Sequence, residues 1–288
     1  MMDIYGTHRE RPSTYVLPDG ITPRELHRLQ TQDDMYNISM GEILAEQEDL
    51  TDFHHILDAG CGTGGWLIEA ARAYPTFTRL VGVDISEAMI GHARDKASQY
   101  KVHDRVEFYA MDALQMLRFP DGYFDLVNQR FGFSYLRLWD WRQVLTEYRR
   151  VTRGGGVIRL TETDVQVETN SKAGERYFQL LRDALYASSH LFPPQTPRLT
   201  SELARFLQQA GLKQVQSRAS LVEYRPQTLI GRLFYEDIRL CTETLAPFIR
   251  KWSRLPDDYD ALCQHMLTDM QQADFVARVH LTTAWGMK

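Results

Sequence analysis

Along the chain, hydrophobic residues fall into short continuous runs, separated by stretches in which they recur every three or four positions. The runs at 56–57, 80–84, 106–110, 124–128 and 157–162 are bounded by Gly, Asp, Ser and Asn and predict buried strands. Residues 66–71 open a helix after the first run; Met89, Ile90 and Ala93 share a face of the next, and 139–152 predicts another. Strand and helix alternating at this pace predict an α/β fold, a parallel sheet covered on both faces. Downstream, Tyr177, Leu180, Leu181 and Leu185 give 171–192 a helical face. Residues 200–210 read as a helix stopped by Gly211, 212–224 as a strand, and 227–275 as helical, interrupted by Pro247 and Pro256. The chain closes on a strand at 278–285.

The pattern fits a single domain. An N-terminal arm with helices (1–50) precedes a first sheet half (51–165), two helical insertions (166–200 and 226–275) and a last strand (276–288). In the arm, prolines and glycines punctuate 1–23, yet Tyr5, Tyr15, Val16 and Leu17 are apolar enough to pack on something. Thr22 suits a helix N-cap and Pro23 the first helical position, with a break expected near 37–41.

The chemistry concentrates where the first strand ends, in Asp58-Ala59-Gly60-Cys61-Gly62-Thr63-Gly64-Gly65. Glycines here permit φ > 0 in a tight turn and leave room for a ligand against bare backbone. The helix beyond offers unpaired N–H groups to an anionic group. Gly60, Gly62 and Gly65 also satisfy the dinucleotide spacing, so glycines alone do not choose the ligand. Asp58 does: its charge repels a pyrophosphate across the turn and attracts a cation such as an amino-acid ammonium. S-adenosylmethionine carries that ammonium, has no phosphate, and has a ribose that a second acid can hold. Asp84 ends the next strand about 20 residues on, the place of a ribose-binding carboxylate in a βαβ unit.

These residues resemble the Rossmann-like (class I) S-adenosylmethionine-dependent methyltransferases, most closely the bacterial small-molecule branch. The resemblance is carried by 58–64, 83–86, 112–113, 124–127 and the glycine turn expected at 154–156, and covers roughly 50–225 and the last strand. It implies a mostly parallel seven-stranded sheet with helices on both faces, a helical N-terminal extension and helical cap insertions. It also implies site roles. Asp58 orients the ammonium over the Ala59, Gly60 and Gly62 backbone, Asp84 binds the ribose, and Asp112 accepts from the adenine amino group between Met111 and Ala113. Ile85 and Met89 have two readings, packing on adenine or in the core. The segment 128–133, beginning at Asn128, is expected over the sulfonium. Arg130 has three candidate partners there: the cofactor carboxylate, an acidic substrate, or solvent. The acidic-Pro-Pro-aromatic motif of some N-methyltransferases is missing from this segment, which disfavours adenine-N6 and glutamine substrates.

The expected reaction is transfer of a methyl group to oxygen or nitrogen of a small molecule. Tyr15, Tyr36, Arg130 and Phe131 are candidate substrate contacts, and His190 and Glu162 weak candidates for a base. Other readings are same-fold natural-product chemistry (a cyclase or pericyclic catalyst) and a non-catalytic cofactor-binding protein. A net charge of −5 and a pI near 6.0 supply no global attraction to nucleic acid. Arg149, Arg150 and Arg153 read as a local basic patch or as a solvated helix end. No apolar run or leader points to a membrane. Three widely spaced cysteines suggest no metal site and a reducing, cytoplasmic setting. Oligomerisation is left open.

Overall fold

The strand that ends at the glycine turn, β1 (His55–Ala59), is buried in all but its first residue and lies inside the sheet. The computed structural model describes residues 22–47 and 49–288. Parallel to β1 run β2 (Arg79–Asp84) on one side and β4 (Phe124–Arg130) on the other. Beyond them lie β3 (Val106–Ala110) and β5 (Thr152–Glu162), also parallel. The last strand, β8 (Ala277–Met287), is antiparallel to β5 and carries β7 (Lys213–Tyr224) on its other edge. Strand order reverses between β1 and β4, so a crevice opens at their carboxyl ends, the usual ligand position in such sheets.

The fold is the expected Rossmann-like α/β sheet, with eight strands rather than seven among the described residues. The additional β6 (Val167–Thr169) is three residues long and pairs with the start of β8. Alternate strand residues feed two apolar clusters: Leu57, Val81, Val127 and Ile158 belong to one, Ile56, Leu80, Leu126 and Val157 to the other. The second cluster is closed by α2 (Gly65–Ala73) and α3 (Glu87–Gln99). The first takes α4 (Trp141–Val151), α5 (Lys172–Ala187), α6 (Leu199–Gln209) and α7 (Leu229–Thr244). Pro247 starts a short α8 (Ala246–Trp252), and α9 (Tyr259–Asp269) precedes β8.

Two local expectations are corrected. Capped by Thr22, whose Oγ1 accepts from Glu25 N at 3.2 Å, α1 (Pro23–Met40) breaks at Gly41, at the end of the expected range, but 42–46 beyond it form a bend and turns rather than the helix expected around Ile43 and Leu44. The helix α1 packs along α7. Gly154–Gly156 are not a turn before the strand but part of β5, which begins at Thr152; the register against β4 shifts between Phe124 and Leu126. Two arginines of the basic cluster are engaged: Arg150 pairs with Glu147 and Asp121, and Arg153 with Asp125. Among the described residues no helix is long and apolar enough to cross a membrane. The arm at 1–21 lies outside the described residues.

Candidate functional site

Gly60, Gly62 and Gly64 all have positive φ, at 70°, 52° and 74°, so the turn needs glycine for its conformation. Their open faces differ. A Cβ on Gly62 would meet nothing within 4 Å, whereas one on Gly60 would lie 2.5 Å from the Tyr135 hydroxyl. Room for a ligand therefore lies at Gly62, and Tyr135 covers Gly60.

Asp84, at the end of β2, faces this opening. One carboxylate oxygen accepts from Gly62 N at 3.0 Å and the other from Ser86 N at 2.9 Å. These bonds fix its orientation, while burial pushes the carboxyl up. Ile85 beside it is 58% exposed, an uncovered apolar surface suited to a flat ring, whereas Met89 is buried at 2%. Next door, Met111 N donates to Asp84 O at 2.9 Å, tying the end of β3 to the end of β2. Asp112 accepts from Leu114 N at 2.8 Å, and Met111 and Ala113 are half-buried against the core.

Asp58 is 4% exposed and accepts from Asn128 Nδ2 at 2.7 Å. Parallel pairing of β1 with β4 brings these two residues opposite each other. The Asn128 oxygen accepts from Arg159 Nη1 at 2.8 Å, and Arg159 is paired with Glu46. The Asn128 amide thus bears on the site through Asp58. Burial pushes the Asp58 carboxyl up to about 7, against the pull of Arg130 and Asn128.

Of the three readings of Arg130, the solvent-facing one is corrected: its side chain is 8% exposed. It binds α1 instead, donating to Asp33 at 3.0 Å and to Asn37 at 3.1 Å, and burial lowers its pKa. Asp33 in turn accepts from Thr63 Oγ1 and from Gly65 N at 3.3 Å, at the start of α2. The helix N-terminus read from sequence as an anion site already holds this carboxylate. Nothing local in α1 marked Asp33, because a helical aspartate ordinarily faces solvent.

Beyond β4 the chain turns sharply at Phe131, whose φ is 56°, and its ring packs on Tyr36 with centroids 4.4 Å apart. Glu162, wholly buried at the end of β5, accepts from Gly132 N at 2.6 Å, Phe133 N at 3.2 Å and Gln129 Nε2 at 3.3 Å. Burial pushes its carboxyl up to about 8. These bonds make it a support for the loop after β4. His190 is buried at 2%, bonded to Ser188 Oγ at 2.8 Å and set edge-on to Phe248. It does not line the cavity described next.

Between α1, α5, α7 and the 131–134 loop lies a cavity of about 130 Å³. Tyr36, Phe131, Phe178 and Phe234 form its walls, with Arg28 and Asp237 at a polar side. Of the other insertion aromatics, Tyr177 is in the core, and Tyr186, Phe192 and Tyr235 are partly buried against it. Tyr15 lies outside the described residues. Carboxylates at the ends of three adjacent strands, with bare backbone at Gly62, fit an ammonium, a ribose diol and an exocyclic amino group. No cluster among the described residues suits a metal ion.

The methyltransferase-domain family matches residues 56–156. The demethylmenaquinone methyltransferase of Lactiplantibacillus plantarum is 38% identical over 109 residues, 38% of this chain and 45% of that protein. That of Bacillus licheniformis is 31% identical over 172 residues, 56% of this chain and 71% of that protein. The chain thus spans less than half the length of the first relative and over two thirds of the second. Among solved structures, the YcgJ protein of Bacillus subtilis shares the fold: TM-score 0.50, 16% identity, covering 91% of this chain and 98% of that one. The glycine turn and strand-end carboxylates lie within the matched segment, and the chain belongs to the Rossmann-like S-adenosylmethionine-dependent methyltransferases.

Proposed function

We propose that this methyltransferase transfers the methyl group to oxygen or nitrogen of a small molecule held in the cavity between α1, α5 and α7. The carrying observation is that the cavity is walled by Phe131, one residue beyond the end of β4, while the glycine turn ends the adjacent β1. Asp58 would hold the cofactor ammonium, Asp84 the ribose hydroxyls and Asp112 the adenine amino group, with Ile85 under the ring. S-adenosylmethionine, when bound, supplies an electrophilic methyl group. That methyl would be open to in-line displacement by the acceptor's lone pair, with S-adenosylhomocysteine as the leaving group. The protein's share is alignment and exclusion of water by Tyr36, Phe131 and the loop that Glu162 supports. His190 does not line the cavity and Glu162 is held by backbone N–H groups, so in this reading the acceptor's proton leaves to solvent. The reading places the protein in the cytoplasm as one domain, acting on small molecules and not on nucleic acid.

The test is S-adenosylhomocysteine formation by the purified protein against a panel of small alcohols, phenols and amines, with the methylated atom located by NMR. Turnover of at least one supports the reading. Demethylmenaquinone, named for the relatives, belongs in the panel. Turnover of it alone, or methylation at carbon, would replace the oxygen-or-nitrogen assignment.

A further inference from the structure

The charges at the cavity wall are balanced. Among the described residues, Arg28 and Asp237 are the charged side chains that line it, and they bond to each other at 3.1 Å. Both are nearly dry, at 6% and 5% exposed. Arg28 is held a second time by Glu25, which does not line the cavity, at 2.8 and 2.6 Å. A charged acceptor would lose its water here and find both lining charges already paired. A neutral acceptor escapes that cost.

Size and surface narrow the acceptor further. The cavity holds about 130 Å³, and an apolar cavity of ~150 Å³ takes one benzene. Phe178 and Phe234 both line it, their planes 21° apart and their centroids 6.5 Å apart. They are 5% and 4% exposed, so a second fused ring must displace close-packed side chains. One neutral polar group stands at the other side. Ser134, in the loop that follows β4, lines the same space, and its Oγ donates to Phe131 O at 2.9 Å. With that proton engaged, the hydroxyl meets a ligand as an acceptor and calls for an O–H or N–H.

Resting on the reading above, we propose that the methyl acceptor is an uncharged single-ring phenol or aromatic amine whose O–H or N–H donates to Ser134 Oγ. The atom that donates also carries the lone pair that takes the methyl group. One contact thus binds the acceptor and aims it. Phe178 sets the limit on ring size, and the closed Arg28–Asp237 pair turns ions away.

The experiment is calorimetry at about pH 7 on the protein saturated with S-adenosylhomocysteine, with phenol, toluene, naphthol, benzoate and benzylamine as probes. Phenol, neutral at this pH, should bind about tenfold or more tighter than the two ions. It should lead toluene by about three- to tenfold, the effect of one hydrogen bond. It should also lead naphthol by about tenfold, although naphthol carries more apolar surface. Ser134→Ala should bring phenol and toluene to within about twofold without changing toluene. Phe178→Ala should place naphthol ahead of phenol. Tightest binding of either ion, naphthol ahead of phenol in the parent, equal binding of every probe, or binding of none overturns the proposal. So does a phenol–toluene gap that survives Ser134→Ala, or a phenol lead over naphthol that survives Phe178→Ala. Should a variant fail to fold, the parent's order of probes decides. Because the readout is binding, a wrong order leaves methyl transfer standing. Failure of every acceptor to yield S-adenosylhomocysteine removes the underlying function instead.

Discussion

Asp33 and Arg130, 97 positions apart, form an ion pair at 3.0 Å that fastens the N-terminal helix to the end of the central strand β4. The same carboxylate reaches Gly65 N, so α1, the glycine turn and β4 meet at one side chain. Arg130 is far more buried than Asp33, at 8% against 19% side-chain exposure, so losing Asp33 strands a desolvated cation.

Asp33→Asn and Arg130→Gln should each destabilise the protein by ~1–3 kcal/mol, discounted from a fully buried pair for the exposure of Asp33. The double variant should lose less than the sum by about 1 kcal/mol. Urea unfolding of the four proteins measures this. Strict additivity would show that the pair is a geometric accident.

In the proposed reading Asp84 holds a ribose through its remaining lone pairs, while Gly62 N and Ser86 N fix its orientation. Asp84→Ala should weaken S-adenosylhomocysteine binding by ~2–3 kcal/mol, the range for bonds to a charged group. Unchanged affinity in a folded variant, read by calorimetry, would sink the cofactor assignment at this position.

The pH dependence follows from Asp58 and Glu162, both pushed above their ordinary values by burial, to about 7 and about 8. Above about pH 4 the unfolded chain has released protons that the folded chain keeps, so stability falls as pH rises through those values. An ammonium beside Asp58 favours its carboxylate. S-adenosylhomocysteine should therefore bind more tightly as pH rises toward about 7, releasing a proton below that, and should flatten part of the slope in melting temperature. Asp58→Asn should flatten it without ligand. A melting temperature that climbs across this range would contradict the sign.

Much of the candidate site could be located in the sequence because strand ends are marked locally. Asp58, Asp84 and Asp112 each close a short apolar run, and the period of the pattern fixes where the next one falls. What escaped depends on distant partners. Arg28 and Asp237 are 209 positions apart, and each looks like a solvated helical charge until α1 lies along α7. The three residues of β6 are too few to show a period. The glycines opening β5 read as a turn, because sequence does not show that a neighbouring strand accepts them. Arg130 was visible as a residue near the chemistry, but its partner belonged to an element whose docking has no local signature.

Glu162 separates support from catalysis. Its oxygens accept from Gly132 N and Phe133 N, in the loop that walls the cavity, and the pull of these bonds opposes a carboxyl raised to about 8. In Glu162→Gln one of the two N–H groups would face an amide NH₂, leaving a buried donor unsatisfied at ~1–3 kcal/mol. That corresponds to roughly 2–8 °C in melting temperature for a chain of this size. Loosening the loop should raise the acceptor KM and leave S-adenosylmethionine affinity nearly unchanged, since Asp58, Asp84 and Asp112 do not touch it. A general base predicts something different: kcat lower by about 10²–10⁴, an unchanged melting temperature, and loss of a pH–rate limb near 8. Measuring kcat, KM and melting temperature together distinguishes the two. A large fall in kcat in a variant as stable as the parent would restore Glu162 as the base and end its assignment as a loop support.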